Sequence, residues 1–403
     1  MQMTNRALDG LRVLEYCDMV AGPYCGKLLA DLGAESVKIE QPLVGDRARH
    51  RGPFAGDEPH PEKSGLFLYL NTNKLGVTLD PTTPTGRRIF LQLVKDVDVL
   101  IEDHAPGRMP ELGLAYDTLA AANPGLVMVS IAPFGQDGPY SGYNCYTLNL
   151  HHVSAHSTQF FVARFDEPGR EPVPPGGYAG EYDSGLNAAI AVMGALFGRM
   201  LTGEGQYIDV SKMESLLGLE RVDICRFADG DSIIARFGMQ IGGLMECKDG
   251  FVILTMPQDH QWVGLVKAMG SPEWALNEEY ATEMGRAKNH DDIQPRVEAW
   301  AMQFTKDEVY RICQENGVPL GPVRSTVEVF EWQQAQERGF FQEVEHPVAG
   351  KFHYPTAGYK LPATPWQAER AAPLLGQHNE EIYCSRLGYS LEDLARLRAD
   401  GVI

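Results

Sequence analysis

Positive charge is what this sequence is short of. Lys and Arg number 35 against 54 Asp and Glu, so the 403-residue chain carries a formal net charge of −19 at pH 7. That balance argues against a nucleic-acid or anionic-membrane surface unless an extended basic patch overcomes it. The one basic cluster, Arg47, Arg49 and Arg51, is short and set in a loop. Cysteine is sparse and unpatterned: the seven (Cys17, Cys25, Cys145, Cys225, Cys247, Cys313, Cys384) show no C-x-x-C spacing. No zinc or iron–sulfur framework is expected, no metal ligands are assigned, and a reduced cytoplasmic setting fits best. The amino-terminal stretch has no apolar segment of signal-peptide type, and no apolar run is expected to reach membrane-spanning length. With 44% hydrophobic and 22% charged residues the composition is that of a globular protein and excludes disorder.

What is present is a βα rhythm. Leu11–Tyr16 reads as a strand, Met19–Tyr24 as a Gly-Pro loop, Cys25–Leu32 as a helix and Glu35–Glu40 as a second strand. That is a βαβ unit, the opening of a Rossmann-like parallel sheet. The loop lacks G-x-G-x-x-G, which excludes a dinucleotide fingerprint. Further strands are expected at Gly76–Leu79, Val97–Glu102 and Val127–Ile131, with an amphipathic helix at Thr85–Lys95. The rhythm changes over about 228 to 325, where Cys247–Thr255 reads as a turn flanked by strands. His260–Met269, Arg296–Phe304 and Lys306–Asn316 read there as helices. The fold class expected is α/β: a discontinuous large domain (1–225 and 326–403) around a small α+β domain (226–325). Val318–Val323 is taken as the start of the return.

The chain is organised around Gly176–Ser211, in which glycines lead into the carboxylates Glu181 and Asp183. Leu186–Met200 is Pro-free and rich in good helix formers, so it reads as a buried helix. Thr202–Gly205 is a stop, and Gln206–Val210 a strand returning to the core. Glu181 would then stand at the glycine-rich mouth of a helix, where backbone N–H groups favour negative charge. Two readings stay open there: a helix cap, or a nucleophile or base placed where an anionic intermediate is stabilised.

The stretch GEYDSGLNAAIAVMGALFGRMLTGEGQYIDVS resembles the active-site segment of the class III CoA-transferases. So do VLE…AGP…LADLGAESVKIE near the start, the FGQDGPY loop (Phe134–Tyr140) and APLLGQHNEE (Ala372–Glu381). The resemblance covers essentially the whole chain. It implies a Rossmann-like large domain, a small domain, and two chains interlocked like rings, as a homodimer or with a related class III chain. It also implies transfer of CoA between an acyl-CoA and a carboxylic acid through an enzyme-bound acyl anhydride, with CoA as substrate and no cofactor. Glu181 matches the position of the family's catalytic Asp. The CoA site would be drawn from Val20, Ala21, Lys74, Asp103, His104, Arg108 and Gln136, and the substrate site from Tyr146, Gly242 and Gly243.

Departures accompany the match. Glu replaces Asp at 181. In the segment that resembles E-N-F-R-P-G-x-x-x-R-L-G, Asp103, His104, Ala105 and Glu111 stand where Asn, an aromatic and two Arg are usual. Tyr146 and Thr147 occupy the place of a Tyr-Asp or His-Asp pair, with His151 and His152 about a turn later. Lys74 reads equally as a CoA ligand and as a solvated turn lysine. Four roles follow: a divergent transferase, the non-catalytic subunit of a two-chain enzyme of the succinyl-CoA:benzylsuccinate CoA-transferase type, an acyl-CoA racemase or isomerase of the same superfamily, and a structural subunit.

Overall fold

The computed structural model describes residues 6–157, 176–220, 241–256 and 258–403. Residues 221–240, Cys225 among them, lie outside the described residues. Those described fall into two compact units, the first taking the residues up to 220 together with Arg338–Ile403, the second those from 241 to Glu337.

The first unit is built on six parallel strands: β1 (Arg12–Tyr16), β2 (Glu35–Glu40), β3 (Lys74–Thr78), β4 (Val99–Glu102), β5 (Val127–Ala132) and β6 (Tyr207–Ser211). Their order is β3-β2-β1-β4-β5-β6, so the direction of winding reverses between β1 and β4. β3, β4 and β5 are buried along their whole length, and β4 and β5 read as near-continuous apolar runs, as a sheet covered on both faces requires. Alternate residues serve opposite layers. Val13, Val99, Ile101, Val127 and Val129 pack with the Ala21–Asp31 and Ala179–Thr202 helices. Leu14, Leu100 and Met128 pack with the Pro84–Val94 and Leu391–Ala399 helices.

The carboxyl-terminal return closes the first unit. His378 donates its N–H to Gly76 O at 2.9 Å, Asp80 donates to Val402 O at 2.8 Å, and the Tyr383 hydroxyl donates to Thr78 O at 2.7 Å. This return starts at Arg338, later than the sequence boundary of 326. The Ser325-capped helix Thr326–Glu331 stays with the second unit, where Glu328 pairs with Lys306 at 2.6 Å.

The second unit holds a three-stranded antiparallel sheet, Gly243–Cys247, Gly250–Leu254 and Leu320–Pro322, backed by helices Asp259–Ala268, His290–Ala301 and Lys306–Glu315. Leu320–Pro322, read from sequence as the start of the return, is instead the edge strand of this small sheet.

The Ala179–Thr202 helix departs most from expectation. It begins seven residues early, so Glu181 lies in its first turn and not ahead of it. Gly180 and Gly185 are close-packing residues, not breakers. A Cβ on Gly180 would come within 2.8 Å of Leu216 Cδ1, and one on Gly185 within 2.5 Å of Ala21 O. With 24 residues the helix is long and apolar enough to cross a membrane, contrary to the sequence expectation. Only one of its faces is buried, contrary to the expected buried helix. It stops at Thr202, where Gly203 takes the left-handed conformation (φ 77°) and its N–H bonds Arg199 O.

Candidate active site

The carboxyl ends of β1 and β4 flank the point where the winding reverses, the place where open α/β sheets bind ligands. A buried ionic network shapes the loop after β1. Lys38, completely buried, pairs with Glu15 at 2.8 Å and Asp46 at 2.9 Å and donates to Cys17 O at 2.9 Å. Asp46 accepts the Met19 N–H at 2.9 Å, and Asp103 accepts the Asp18 N–H at 3.0 Å. These bonds hold Met19 in the left-handed region (φ 65°) and deliver Val20 and Ala21 to the start of the Ala21–Asp31 helix, which no side chain caps. Gly22 is required there because a Cβ would lie 2.4 Å from Cys17 Sγ.

Gly185 seats the Ala179–Thr202 helix on this helix start. Glu181, four residues earlier, lies on the same face. Its carboxylate is nearly buried and has two partners: Lys212 Nζ at 2.6 Å from Oε2, and Thr147 Oγ1, which donates to Oε1 at 3.3 Å. Lys212 is the first residue after β6, again at the carboxyl edge of the sheet. Its charge also reaches Asp103, whose carboxyl burial pushes well above the usual range, with Lys212 opposing the shift. One ammonium thus lies within the electrostatic reach of carboxyls from two elements. His151, on the Thr147–Val153 helix, is buried with neither ring nitrogen hydrogen-bonded and stacks on His156 at 5.2 Å. Burial and the neighbouring histidines hold it below the ordinary imidazole range, while Glu181 pulls it back up.

Beside Asp103, His104 stacks on Tyr16 at 4.2 Å and has a buried Nε2 without a partner. Burial first, then the charges of Arg108 and Arg47, lowers it to about 4, so the ring is neutral at physiological pH. Arg108 is exposed and pairs loosely with Glu111 at 3.3 Å. Gln136 donates its backbone N–H to Asp209 at 2.9 Å and has a buried, unpartnered Nε2. Burial pushes Glu102, at the end of β4, up to about 7.

The structure therefore gathers Val20, Ala21, Asp103, His104, Arg108, Gln136 and Glu181 along the carboxyl edge of the sheet. Tyr146 is 75% exposed and precedes Thr147. Lys74 stands apart: completely buried at the amino end of β3, it pairs with Glu15 at 2.6 Å and donates to Pro23 O at 2.7 Å. Neither the solvated-turn reading nor a free cation describes it. Gly242 and Gly243 belong to the second unit, where Gln294 bonds both the N–H and the carbonyl of Gly242. Sequence reasoning missed Lys212, although its place just past a strand's carboxyl end was a usable signal. No group of three or more His, Cys, Asp or Glu suited to a metal ion occurs among the described residues. A cavity of about 630 Å³ in the first unit is lined by other residues, Phe340, Tyr359, Lys360 and Trp366 among them.

The fold and site define a doubly wound α/β protein that presents a desolvated, ion-paired carboxylate at the carboxyl edge of its sheet. The sequence profile described as CoA-transferase family III matches residues 8–379. The chain belongs to that family and is by class a CoA-transferase. It is 31% identical to a formyl-CoA:oxalate CoA-transferase of Rhodopseudomonas palustris, with 99% of this chain and 97% of the relative covered. It is 32% identical to a succinyl-CoA–D-citramalate CoA-transferase of Chloroflexus aurantiacus, with 100% and 99% covered. Its fold is similar to that of a CAIB/BAIF family protein from Brucella suis, with a TM-score of 0.83 at 28% identity over 95% of this chain and 100% of that one.

Proposed function

We propose that this chain moves CoA from an acyl-CoA to a carboxylic acid and that Glu181 is the carboxylate that carries the acyl group between them. The observation that carries the reading is the Glu181 carboxylate itself, nearly buried and oriented through both oxygens by Lys212 and Thr147. A glutamate that merely capped a helix would point at backbone N–H groups, and this one points at a cation and a hydroxyl. The carboxylate oxygen attacks the thioester carbonyl, the C–S bond breaks with its electron pair on sulfur, and a mixed anhydride remains. The acceptor carboxylate attacks the acyl carbon of that anhydride and displaces Glu181 as a free carboxylate. The thiolate then attacks the acceptor's carbonyl in the resulting donor–acceptor anhydride, forming the new acyl-CoA and releasing the donor acid.

CoA would lie along Val20, Ala21, Asp103, His104, Arg108 and Gln136, with Tyr146 at the acyl end. The unpartnered Nε2 atoms of His104 and Gln136 support this, being polar groups that a ligand would satisfy. Burial raises the Asp103 carboxyl, which favours its uncharged form beside a polyanion, while Lys212 opposes the shift. Formyl and succinyl thioesters are the first donors to try, by similarity to the relatives. A cytoplasmic location fits the free cysteines Cys17, Cys25, Cys145, Cys247, Cys313 and Cys384.

A second reading is favoured by Asp103, His104, Ala105 and Glu111, which stand where the family pattern has Asn, an aromatic and two Arg: the chain as the silent partner of a related class III chain. The deciding experiment incubates purified chain with formyl-CoA or succinyl-CoA and hydroxylamine, followed by peptide mass spectrometry. A glutamyl hydroxamate at 181, and loss of turnover in Glu181→Gln, are expected. A chain inert alone, whose complex with a partner works equally well with Glu181→Gln, establishes the second reading instead.

A further inference from the structure

Resting on the acyl-carrying role of Glu181, we infer that Lys212 is the positioning residue that fits this site to a glutamate and not to a shorter acid. The ion pair is 2.6 Å long, and the two side chains are only 13% and 12% exposed, so water does little to screen it. Lys212 stands on a rigid base. Ser211 before it pairs with Ala132 in the sheet and caps the following helix by accepting the Glu214 N–H at 3.2 Å. Met213 after it donates its N–H to Pro133 O at 3.0 Å. Glu181 is held from the other side by its helix. The carboxylate thus bridges two fixed elements, with Thr147 on its second oxygen.

The span suits glutamate. Removing one methylene withdraws the carboxylate by about 1.5 Å, which takes it out of hydrogen-bond range of Lys212. Charge follows the same logic. When a Glu181 oxygen bonds the thioester carbon and the C–S electron pair leaves on sulfur, no proton moves and one negative charge passes from carboxylate to thiolate. A desolvated ammonium fixed at that spot keeps a counter-charge in place throughout the exchange. Asp103 is a second carboxyl within its electrostatic reach, but the direct contact, at 2.6 Å, is with Glu181.

The pair is tested first without any substrate. A water-soluble carbodiimide should join Glu181 to Lys212 with loss of one water, read as a cross-linked tryptic peptide pair, and no cross-link should form in Lys212→Met. Turnover with the donor found above comes next. Lys212→Met should lower kcat about 100-fold, the scale of a 1 Å misplacement, with little change in KM, and Lys212→Arg should recover part of the loss. Glu181→Asp should cost a similar factor in the native background and almost nothing more in Lys212→Met, because both changes break one contact. A missing cross-link, native turnover in Lys212→Met, or fully additive losses would each overturn the inference. Inertness of the native chain toward every donor, or full turnover in Glu181→Gln, would instead remove the acyl-carrying reading and this role with it. Failure of the inference alone looks different: Glu181→Gln is dead while Lys212→Met turns over at the native rate.

Discussion

Glu102 shows what single residues of this site cost the fold. It closes β4 with its carboxyl buried, and that burial raises it from the ordinary 4.5 to about 7. Below the unfolded value both states hold the proton and nothing is lost. As pH climbs through about 7 the unfolded chain has long since ionised while the folded one still resists, so stability falls by about 3 kcal/mol across that window. Glu102→Gln should flatten this dependence, melting near the native protein at about pH 5 and above it at about pH 8. Equal pH slopes of Tm in the two proteins would show that Glu102 is already ionised at neutral pH. Residues of this kind were poorly legible in the sequence. Glu181 was found because its local pattern matched a known one, but whether Lys74 faced solvent, ligand or core was undecidable locally. Its burial against Glu15 depends on the Ala21–Asp31 helix crossing above it, which is a property of the tertiary fold. Lys212 carried one signal only, its place just past the carboxyl end of a strand.

At the scale of elements, strands read more reliably than helix ends. Expected strand limits differ from those found by a residue or two, because period and apolar content mark a strand along its whole length. The Ala179–Thr202 helix was misjudged at its start because glycine usually signals a break, and here Leu216 and Ala21 demand it for close approach. The same helix leaves a stripe of Leu186, Ile190, Met193, Phe197, Met200 and Leu201 exposed, spaced by threes and fours along one side. A stripe of that length calls for a partner surface, and we propose a second class III chain as that partner. Ile190→Lys with Phe197→Glu should therefore yield a folded chain of half the native assembly's mass by size-exclusion with light scattering. An unchanged mass would show that this stripe is not a contact between chains.

Taken whole, the molecule sets local recognition against long-range charge. The six strands of a parallel sheet were legible as a βα rhythm because each βαβ unit has one handedness and short connections; their order was not read. The second unit's edge at 337/338 was not, since helices Thr326–Glu331 and Gln333–Glu337 carry no local mark of which core they serve. Net charge needs no fold to be read, and −19 is large for 403 residues. An acyl-CoA approaching it carries several phosphate charges of the same sign, so the summed field opposes encounter wherever it is unscreened. The Debye length shrinks from about 30 Å at 0.01 M salt to about 8 Å at 0.15 M. Repulsion by distant carboxylates is lost over that range, while the contacts inside the site, made over 3 Å or so, keep most of their strength. Added salt should thus raise kcat/KM for an acyl-CoA, the reverse of an electrostatically steered enzyme, with kcat itself nearly constant. The measurement is initial rate against ionic strength at subsaturating thioester. A fall in kcat/KM with salt would mean that Arg47, Arg51 and Arg108 outweigh the field of the remaining chain at the entrance, and that the site attracts its substrate despite the acidity around it.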